Sequence, residues 1–204
     1  MKRENGVRAS RVARGVFAKD GGSVKNNSTC SNNCTEEVLR RMRFSLRQEF
    51  PYPIKTVIAA RELRYDAIDE QPGLKSQQLL GVEKSGSLII TRRLFKFGNA
   101  IPEIVKKMVP AGMLEMVDTN TFNTETYLSQ FTMQSEFAPD KVKIVATCPY
   151  IAINENLTVR EYEVHVHVNI PLVGRTVAKA IADSHREALV KDHQIILNAC
   201  KKLA

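Results

Sequence analysis

The most constraining feature of the sequence is its final third, where an alternating segment runs directly into a long helical one. Over residues 162–170, apolar residues alternate with polar ones without a break, which is the period of a strand with one buried face. Pro171 ends this segment, and no proline and no glycine beyond Gly174 interrupt residues 172–203. A single helix of roughly 45 Å is predicted there, because apolar residues recur at helical spacing: Val177, Ile181, Ala188, Ile195 and Ala199.

Shorter predicted elements precede this pair, and most of them are strands. Alternation over residues 43–50 predicts a strand, and residues 54–65, which follow Pro53, have helical spacing. A loop is predicted over residues 66–78, and a hairpin turn at Lys84-Ser85-Gly86-Ser87. A short helical insert is predicted over residues 101–109. Further strands are predicted over residues 113–117, 122–137, 141–148 and 157–170.

Together these elements define a fold class. A sheet of about six antiparallel strands must cover its apolar face, and only the C-terminal helix is long enough to lie along it. We therefore predict an α+β fold in which a curved antiparallel β-sheet grips a long C-terminal α-helix. A short helix follows the first strand, and a helical insert lies between two later ones. Sheets and helices in this arrangement often enclose a cavity.

Composition excludes several classes of protein. With 43% hydrophobic and 25% charged residues, the chain is typical of a globular domain. It has no apolar run long enough to predict a transmembrane segment. The four cysteines, Cys30, Cys34, Cys148 and Cys200, are too widely spaced for a disulfide framework. The pair Cys30 and Cys34 lacks a second pair at metal-ligand spacing, so no zinc site is predicted. No metal site, no cofactor and no catalytic residue is predicted.

The positive charge is concentrated at the N-terminus. Residues 1–43 contain ten of the 30 basic residues but four of the 22 acidic ones, so most of the formal charge of +8 lies there. We predict a basic, largely disordered leader over residues 1–41 and a folded domain over residues 42–204. The Arg-rich start is typical of a mitochondrial presequence. A solvated basic tail on a cytoplasmic protein is the alternative, and the sequence leaves both open.

The order of the elements resembles the START-like (helix-grip, SRPBCC) superfamily over about residues 42–203. Similarity to the PRELI/slowmo family of mitochondrial phospholipid-transfer proteins is carried by residues 86–88 (GSL), 89–94 (IITRRL) and 98–106 (GNAIPEIVK). Residues 168–174 (VNIPLVG) are closer to an uncharacterised bacterial family with the same fold. The resemblance implies that a lipid or another hydrophobic ligand binds between the sheet and the long helix.

The same resemblance implies the position of the binding residues. The candidates for holding a phospholipid head group are Arg92, Arg93 and Lys96, and residues 66–74 are a possible lid. Because Arg92 and Arg93 are adjacent on a strand, at most one of them faces the cavity. The predicted apolar lining is Tyr127, Phe131, Met133, Tyr162, Val164 and Val166. The predicted surface for peripheral contact with an anionic membrane consists of Arg175, Lys179 and Arg186.

Three hypotheses of function follow from different classes. The first, which we favour, is a non-enzymatic protein that binds and transfers or senses a lipid or other hydrophobic ligand. The second is a ligand-free structural or assembly protein that docks on RNA or a protein complex through residues 1–43. The third is a cyclase or hydratase that uses Glu161, His165 or His167 as acid and base. Since these three side chains share one strand face, a solvated polar surface is their simplest interpretation.

Overall fold

A computed structural model describes residues 41–65, 74–97, 103, 107 and 110–204. Its helices are α1 (Ile54–Leu63) and α2 (Gly174–Leu203), and a short 3-10 turn spans Ala111–Leu114. The strands are β1 (Arg41–Phe50), β2 (Leu74–Ser85), β3 (Leu88–Phe97), β4 (Glu115–Asn123), β5 (Leu128–Ser135), β6 (Val142–Asn154) and β7 (Leu157–Val168). In the described residues these seven strands form one antiparallel sheet in the order β1-β7-β6-β5-β4-β3-β2.

The long helix α2 packs against α1, β1 and β7, as the predicted fold class requires. Its buried side carries Val177, Ile195 and Ala199 from the predicted apolar stripe. On β7 the predicted faces are confirmed, because Val164 and Val166 are fully buried while His165 and His167 are partly exposed on the other side. The prediction of an antiparallel sheet that grips a long C-terminal helix is confirmed.

The prediction of a single strand over residues 122–137 is wrong. This segment contains the end of β4, a turn and the whole of β5. The side-chain Oδ1 of Asn123 accepts hydrogen bonds from the backbone N–H groups of Glu125 and Thr126, at 2.9 and 3.0 Å. Such a turn is a local alternative to a continued strand, and Tyr127 completes it with a φ of 53°. The break between the two strands therefore lies at residues 124–127 rather than at residues 118–121, and the sheet has seven strands in the described residues.

The hairpin between β2 and β3 is confirmed, and Gly86 adopts the φ of 56° that a tight two-residue turn favours. The predicted loop is shorter than expected, since β2 already begins at Leu74. Residues 66–73 of the possible lid lie outside the described residues. Within the predicted helical insert only Glu103 and Lys107 are described, and both are helical.

Residues 1–40 also lie outside the described part of the chain. The disordered leader, the domain boundary at residue 41 and the proposed presequence therefore stay predictions. The same holds for a mitochondrial location and for the docking role of residues 1–43.

Candidate functional site

A cavity of about 150 Å³ lies between the inner face of the sheet and α2. Alternate residues of successive strands supply its floor, because side chains two positions apart point to the same face. The residues that give it an apolar wall are Phe95, Phe97, Phe131, Met133 and Leu189. Polar side chains occupy the rest of the wall. The site is therefore an amphipathic cavity rather than a purely apolar one.

A buried ion cluster lies beside the cavity. Arg160 is fully buried, and its Nη1 lies 2.9 Å from Oδ2 of Asp192, an ion-pair distance although no N–H is directed at this oxygen. Arg64 approaches the same carboxylate from the end of α1, with Nε 3.6 Å from Oδ1. Burial alone would raise the pKa of Asp192, but the two guanidinium groups lower it below its usual value. Asp192 is therefore an anion shared by two arginines.

Gln48 holds Arg160 in place from β1. Its Oε1 accepts hydrogen bonds from Nε of Arg160 at 2.9 Å and from Nη2 at 2.5 Å. Its Nε2 donates to the backbone carbonyl of Leu189 at 2.8 Å. The cluster thus ties β1 and β7 to α2, and it fixes the polar end of the cavity.

A second polar network joins α1 to the sheet. Nη2 of Arg61 donates to Oδ1 of Asn120 at 3.1 Å, and Nδ2 of Asn120 donates to Oγ of Ser129 at 2.9 Å. Arg61 also pairs with Glu62 at 3.1 Å and stacks on the ring of Phe122 at 4.0 Å. These groups therefore satisfy much of one another's hydrogen-bonding capacity.

Asp118 lines the same cavity but stands apart from both networks. It is 5% exposed, and no described residue donates a hydrogen bond to its carboxyl group. It lies opposite Arg93 in the register of β3 and β4. Burial raises the pKa of Asp118 to about 6, while Arg64, Arg93 and Arg61 oppose this shift. Asp118 is thus a buried acid whose pKa lies closer to neutral pH than the pKa of an ordinary carboxyl group.

His185 lines the cavity from α2. Its ring lies between those of Phe44 and Phe131, with centroid distances of 6.2 and 5.9 Å. Its Nε2 is inaccessible to solvent and has no hydrogen-bond partner in the described part of the chain. Burial lowers the pKa of His185 to about 4, although Asp192 opposes this shift, so the ring is neutral near pH 7.

The predicted lining residues are only partly brought together. Phe131, Met133 and Tyr162 line the cavity. Val164 and Val166 are fully buried in the adjoining core, whereas Tyr127 packs against the core from its turn. Val164, Val166 and Tyr127 are therefore not among the described residues that line the cavity.

The predicted head-group residues separate onto two faces of β3. Arg93 lies on the inner face and stacks on the ring of Tyr65 at 3.5 Å. Arg92 is exposed on the opposite face, and Lys96 there pairs with Glu115 at 3.1 Å. Of the three, Arg93 is therefore the one directed towards the cavity side of the sheet.

The predicted membrane-facing residues are all exposed on α2. Lys179 pairs with Asp183 at 2.6 Å, and Arg186 stacks on the ring of Phe44 at 4.7 Å. Arg175 lies near the start of the helix.

The polar face of β7 forms ion pairs with β1. Arg43 pairs with Glu163 at 2.7 Å, and Arg47 pairs with Glu161 at 3.2 Å. The rings of His165 and His167 stack at 6.4 Å on this face. The described residues contain no cluster of three metal-ligating side chains, here or elsewhere. The arrangement agrees with a solvated sheet face.

The polar residues of the cavity are not among the residues predicted from the sequence. Arg160 lies two positions before Tyr162, and Gln48 lies two positions after Leu46, so both continue an inward-facing alternation. Asp118 and Asn120 alternate with Met116 and Phe122 in the same way. A polar residue on the apolar face of a strand was the pattern that could have predicted them.

Comparison with known proteins identifies the family and the fold. Residues 45–198 match the family described as "Protein of unknown function (DUF2505)". The chain belongs to this family. No curated protein matches the sequence. The relation to PRELI/slowmo domains stays a prediction.

Solved structures share the architecture at low identity. TTHA0849 from Thermus thermophilus is 12% identical with a TM-score of 0.56, over 80% of this chain and 99% of that chain. The Zhui aromatase/cyclase from Streptomyces sp. R1128 is 9% identical with a TM-score of 0.55, over 79% and 94%. A START superfamily protein from Mycobacterium smegmatis is 13% identical with a TM-score of 0.49, over 79% and 99%. The first two likenesses show a shared fold and not a shared chemistry.

Proposed function

We propose that this protein binds a small hydrophobic ligand, without converting it, in the cavity between the sheet and α2. The observation that carries the proposal is an aromatic-walled cavity of about 150 Å³ at the sheet–helix junction. Ligand sites are typically concave and mostly apolar, with a few polar groups that orient the ligand. A cavity of about this volume accepts a benzene-sized ring in another protein. The two polar networks bond mainly within themselves, which supports binding rather than catalysis.

Filling the cavity should abolish binding without unfolding the protein. Ala188 lines the cavity from α2, so Ala188→Leu places three additional carbon atoms in the ligand's space. We expect the affinity for toluene, measured by calorimetry or ligand-observed NMR, to fall about 10-fold or more. Burying these carbons offsets any strain, and the melting temperature should change little.

Ala152→Leu is the matched control, since Ala152 is exposed at the end of β6. It makes the same chemical change away from the cavity and should leave toluene affinity unchanged. Equal affinities in wild type and Ala188→Leu, or no binding of toluene by the wild type, would contradict the proposal.

Transfer or sensing of an anionic lipid is a second candidate, favoured by an exposed apolar and basic end of the domain. Leu172 is fully exposed with a φ of 65°, one turn before the exposed Arg175. The neighbouring loop presents Phe137, which is 70% exposed. Asn169 donates a backbone hydrogen bond to the carbonyl of Lys141 at 2.7 Å, which joins the two loops. Apolar tips beside cations suit the surface of an anionic bilayer.

No helix in the described part of the chain has the length and apolar character that crossing a bilayer requires.

The two arginines of β3 provide a matched test of the lipid hypothesis. Arg93 faces the cavity side, so Arg93→Gln should reduce transfer of phosphatidic acid between liposomes by about 10-fold, the effect of one charge-assisted contact. Arg92→Gln removes the same charge from the opposite face and should have little effect. Equal effects of the two variants would count against a head-group site. If the wild type transfers no lipid and residues 1–43 bind RNA, the assembly-protein hypothesis gains instead.

A further inference from the structure

We infer that the ligand of this cavity carries a hydroxyl group and that Asp118 accepts its hydrogen bond. The chemical class is a phenol or another ring-sized alcohol. The inference rests on the proposed function, since it assumes that the cavity binds a small hydrophobic ligand.

The carboxyl group of Asp118 is not part of either hydrogen-bonded network of the cavity wall. It is 5% exposed and lines the cavity, and no described residue donates a hydrogen bond to it. The oxygens of Asp118 do not belong to the buried atoms that lack a partner, so they are open to the cavity, where a donor can reach them. A hydrogen bond to a charged acceptor is stronger than one between neutral groups. A ligand that supplies a donor at this position would therefore be recognised strongly and specifically.

The guanidinium groups around the cavity do not share this isolation. Arg61 donates to Asn120 and pairs with Glu62. Arg64 lies beside Asp192 and donates to the hydroxyl of Tyr65 at 2.6 Å. Nε of Arg61 has no hydrogen-bond partner in the described residues, but Arg61 is not among the residues that line the cavity. Arg64 does line it and already has partners, so the described lining is short of a donor rather than of an acceptor. A ligand carboxylate would approach Asp118 as a second anion, which is unfavourable.

His185 supports the choice of a hydroxyl group over an amine. His185 lines the same cavity, and its Nε2, which solvent does not reach, has no hydrogen-bond partner in the described residues. A neutral imidazole nitrogen either donates or accepts, depending on the tautomer. A hydroxyl group does both, with one donor and two lone pairs, so it suits Asp118 and His185 alike. A protonated amine would bring a further cation towards Arg61, Arg64 and Arg93.

The size of the ligand follows from the apolar wall. Phe95, Phe97 and Phe131 surround a volume of about 150 Å³, which holds a single ring. We therefore choose three probes that share a methyl-substituted ring and differ only in the polar group. They are 4-methylphenol, 4-methylanisole and 4-methylbenzoate.

The experiment measures the dissociation constants of these probes at pH 7.5 for the wild type and for Asp118→Asn. A hydrogen bond to a charged acceptor is worth about 1.5–3 kcal/mol, or roughly 10- to 100-fold in affinity. We expect Asp118→Asn to lower the affinity for 4-methylphenol by about 10-fold or more, because amide acceptors are weaker than carboxylates. The affinity for 4-methylanisole, which has no donor, should change less than about 3-fold. Asp140 lies on the exposed loop after β5, so Asp140→Asn is the control and should change the affinity for neither probe.

Asp118→Asn should also fold. A folded-state pKa above the unfolded value of 3.8 means that ionising Asp118 destabilises the fold, fully so once the pH exceeds about 6. Removing the charge should therefore raise the melting temperature at pH 7.5 and leave it nearly unchanged near pH 4.

A second measurement uses the wild type alone. Between pH 7.5 and pH 5, Asp118 gains a proton, while His185, with a pKa of about 4, and Asp192, with its lowered pKa, do not. The charged groups that face Asp118 from the other elements are Arg93 on β3 and Arg61 and Arg64 at α1. The preference for 4-methylphenol over 4-methylanisole should therefore decrease at pH 5.

The outcomes separate the two proposals. If both neutral probes bind and Asp118→Asn weakens them equally, or if 4-methylbenzoate binds more tightly than 4-methylphenol, the hydroxyl inference fails while cavity binding stands. If neither toluene nor any of the three probes binds the wild type, the proposed function fails and takes the inference with it.

Discussion

Val166→Asp is expected to lower the free energy of unfolding by about 3–5 kcal/mol, a large part of the 5–15 kcal/mol of a typical domain. Val166 is fully buried, and it lies in register between Met42 on β1 and Ile144 on β6. A carboxylate at this position would be buried without a partner, or would have to take up a proton at neutral pH. Urea denaturation followed by circular dichroism measures the loss directly.

The next residue along the strand is the control. His167 lies on the opposite face of β7 and is partly exposed, so His167→Gln should change the free energy of unfolding by less than about 0.5 kcal/mol. The contrast between adjacent positions tests the facing of the strand rather than its mere existence. Equally mild effects of the two changes would show that the assigned faces are wrong.

The faces of this strand could be predicted from the sequence because the driving force is local and periodic. Alternation of apolar and polar residues assigns each side chain of β7 to one face, and the burial of Val164 and Val166 agrees. The same holds for α2, where helical spacing places Val177 and Ile195 on one side. Burial of apolar surface determines which side of β7 and of α2 faces the core, so the order of apolar and polar residues is enough to predict it.

The boundary between β4 and β5 could not be predicted in this way. Residues 122–137 read as one alternating run, but the side chain of Asn123 makes two hydrogen bonds to the backbone that follows it. Those two hydrogen bonds stabilise a turn. The strands on either side of the turn, β4 and β5, then pair with each other. The spacing of hydrophobic residues does not show whether a side chain will form a turn with the backbone or the strand will continue.

The polar end of the cavity was missed for a different reason. Arg160, Asp192 and Gln48 belong to elements that are distant along the chain, and each is tolerated in the interior only because the others are there. A local pattern assigns Arg160 to the inner face of β7 but does not supply its partner. The resemblance instead suggested Arg92, Arg93 and Lys96. Of these, Arg92 and Lys96 lie on the outer face of β3, and Arg93 lies on the inner face.

Asp192→Asn should reveal how strongly this interior charge cluster supports the fold. Arg160 is fully buried, and Asp192 is the carboxylate that lies 2.9 Å from its Nη1 and 3.6 Å from Nε of Arg64. Removing one partner of a buried ion pair leaves an uncompensated charge, and the expected loss in free energy of unfolding is about 3–5 kcal/mol. Asp183→Asn removes a carboxylate from the exposed side of the same helix, where it pairs with Lys179, and should cost less than about 1 kcal/mol.

The pH dependence and the double variant complete the test of the cluster. Because the pKa of Asp192 is lower in the folded state than its usual 3.8, its contribution is fully present above that pH and is lost as the pH falls through the folded-state pKa. The stability gap between wild type and Asp192→Asn should therefore narrow in acid. Adding Arg160→Met to Asp192→Asn should recover part of the loss, because the orphaned cation is removed as well. Losses that simply add in the double variant, or equal losses for Asp192→Asn and Asp183→Asn, would mean that the two side chains do not act as a pair and that the shape of the polar end depends on other contacts.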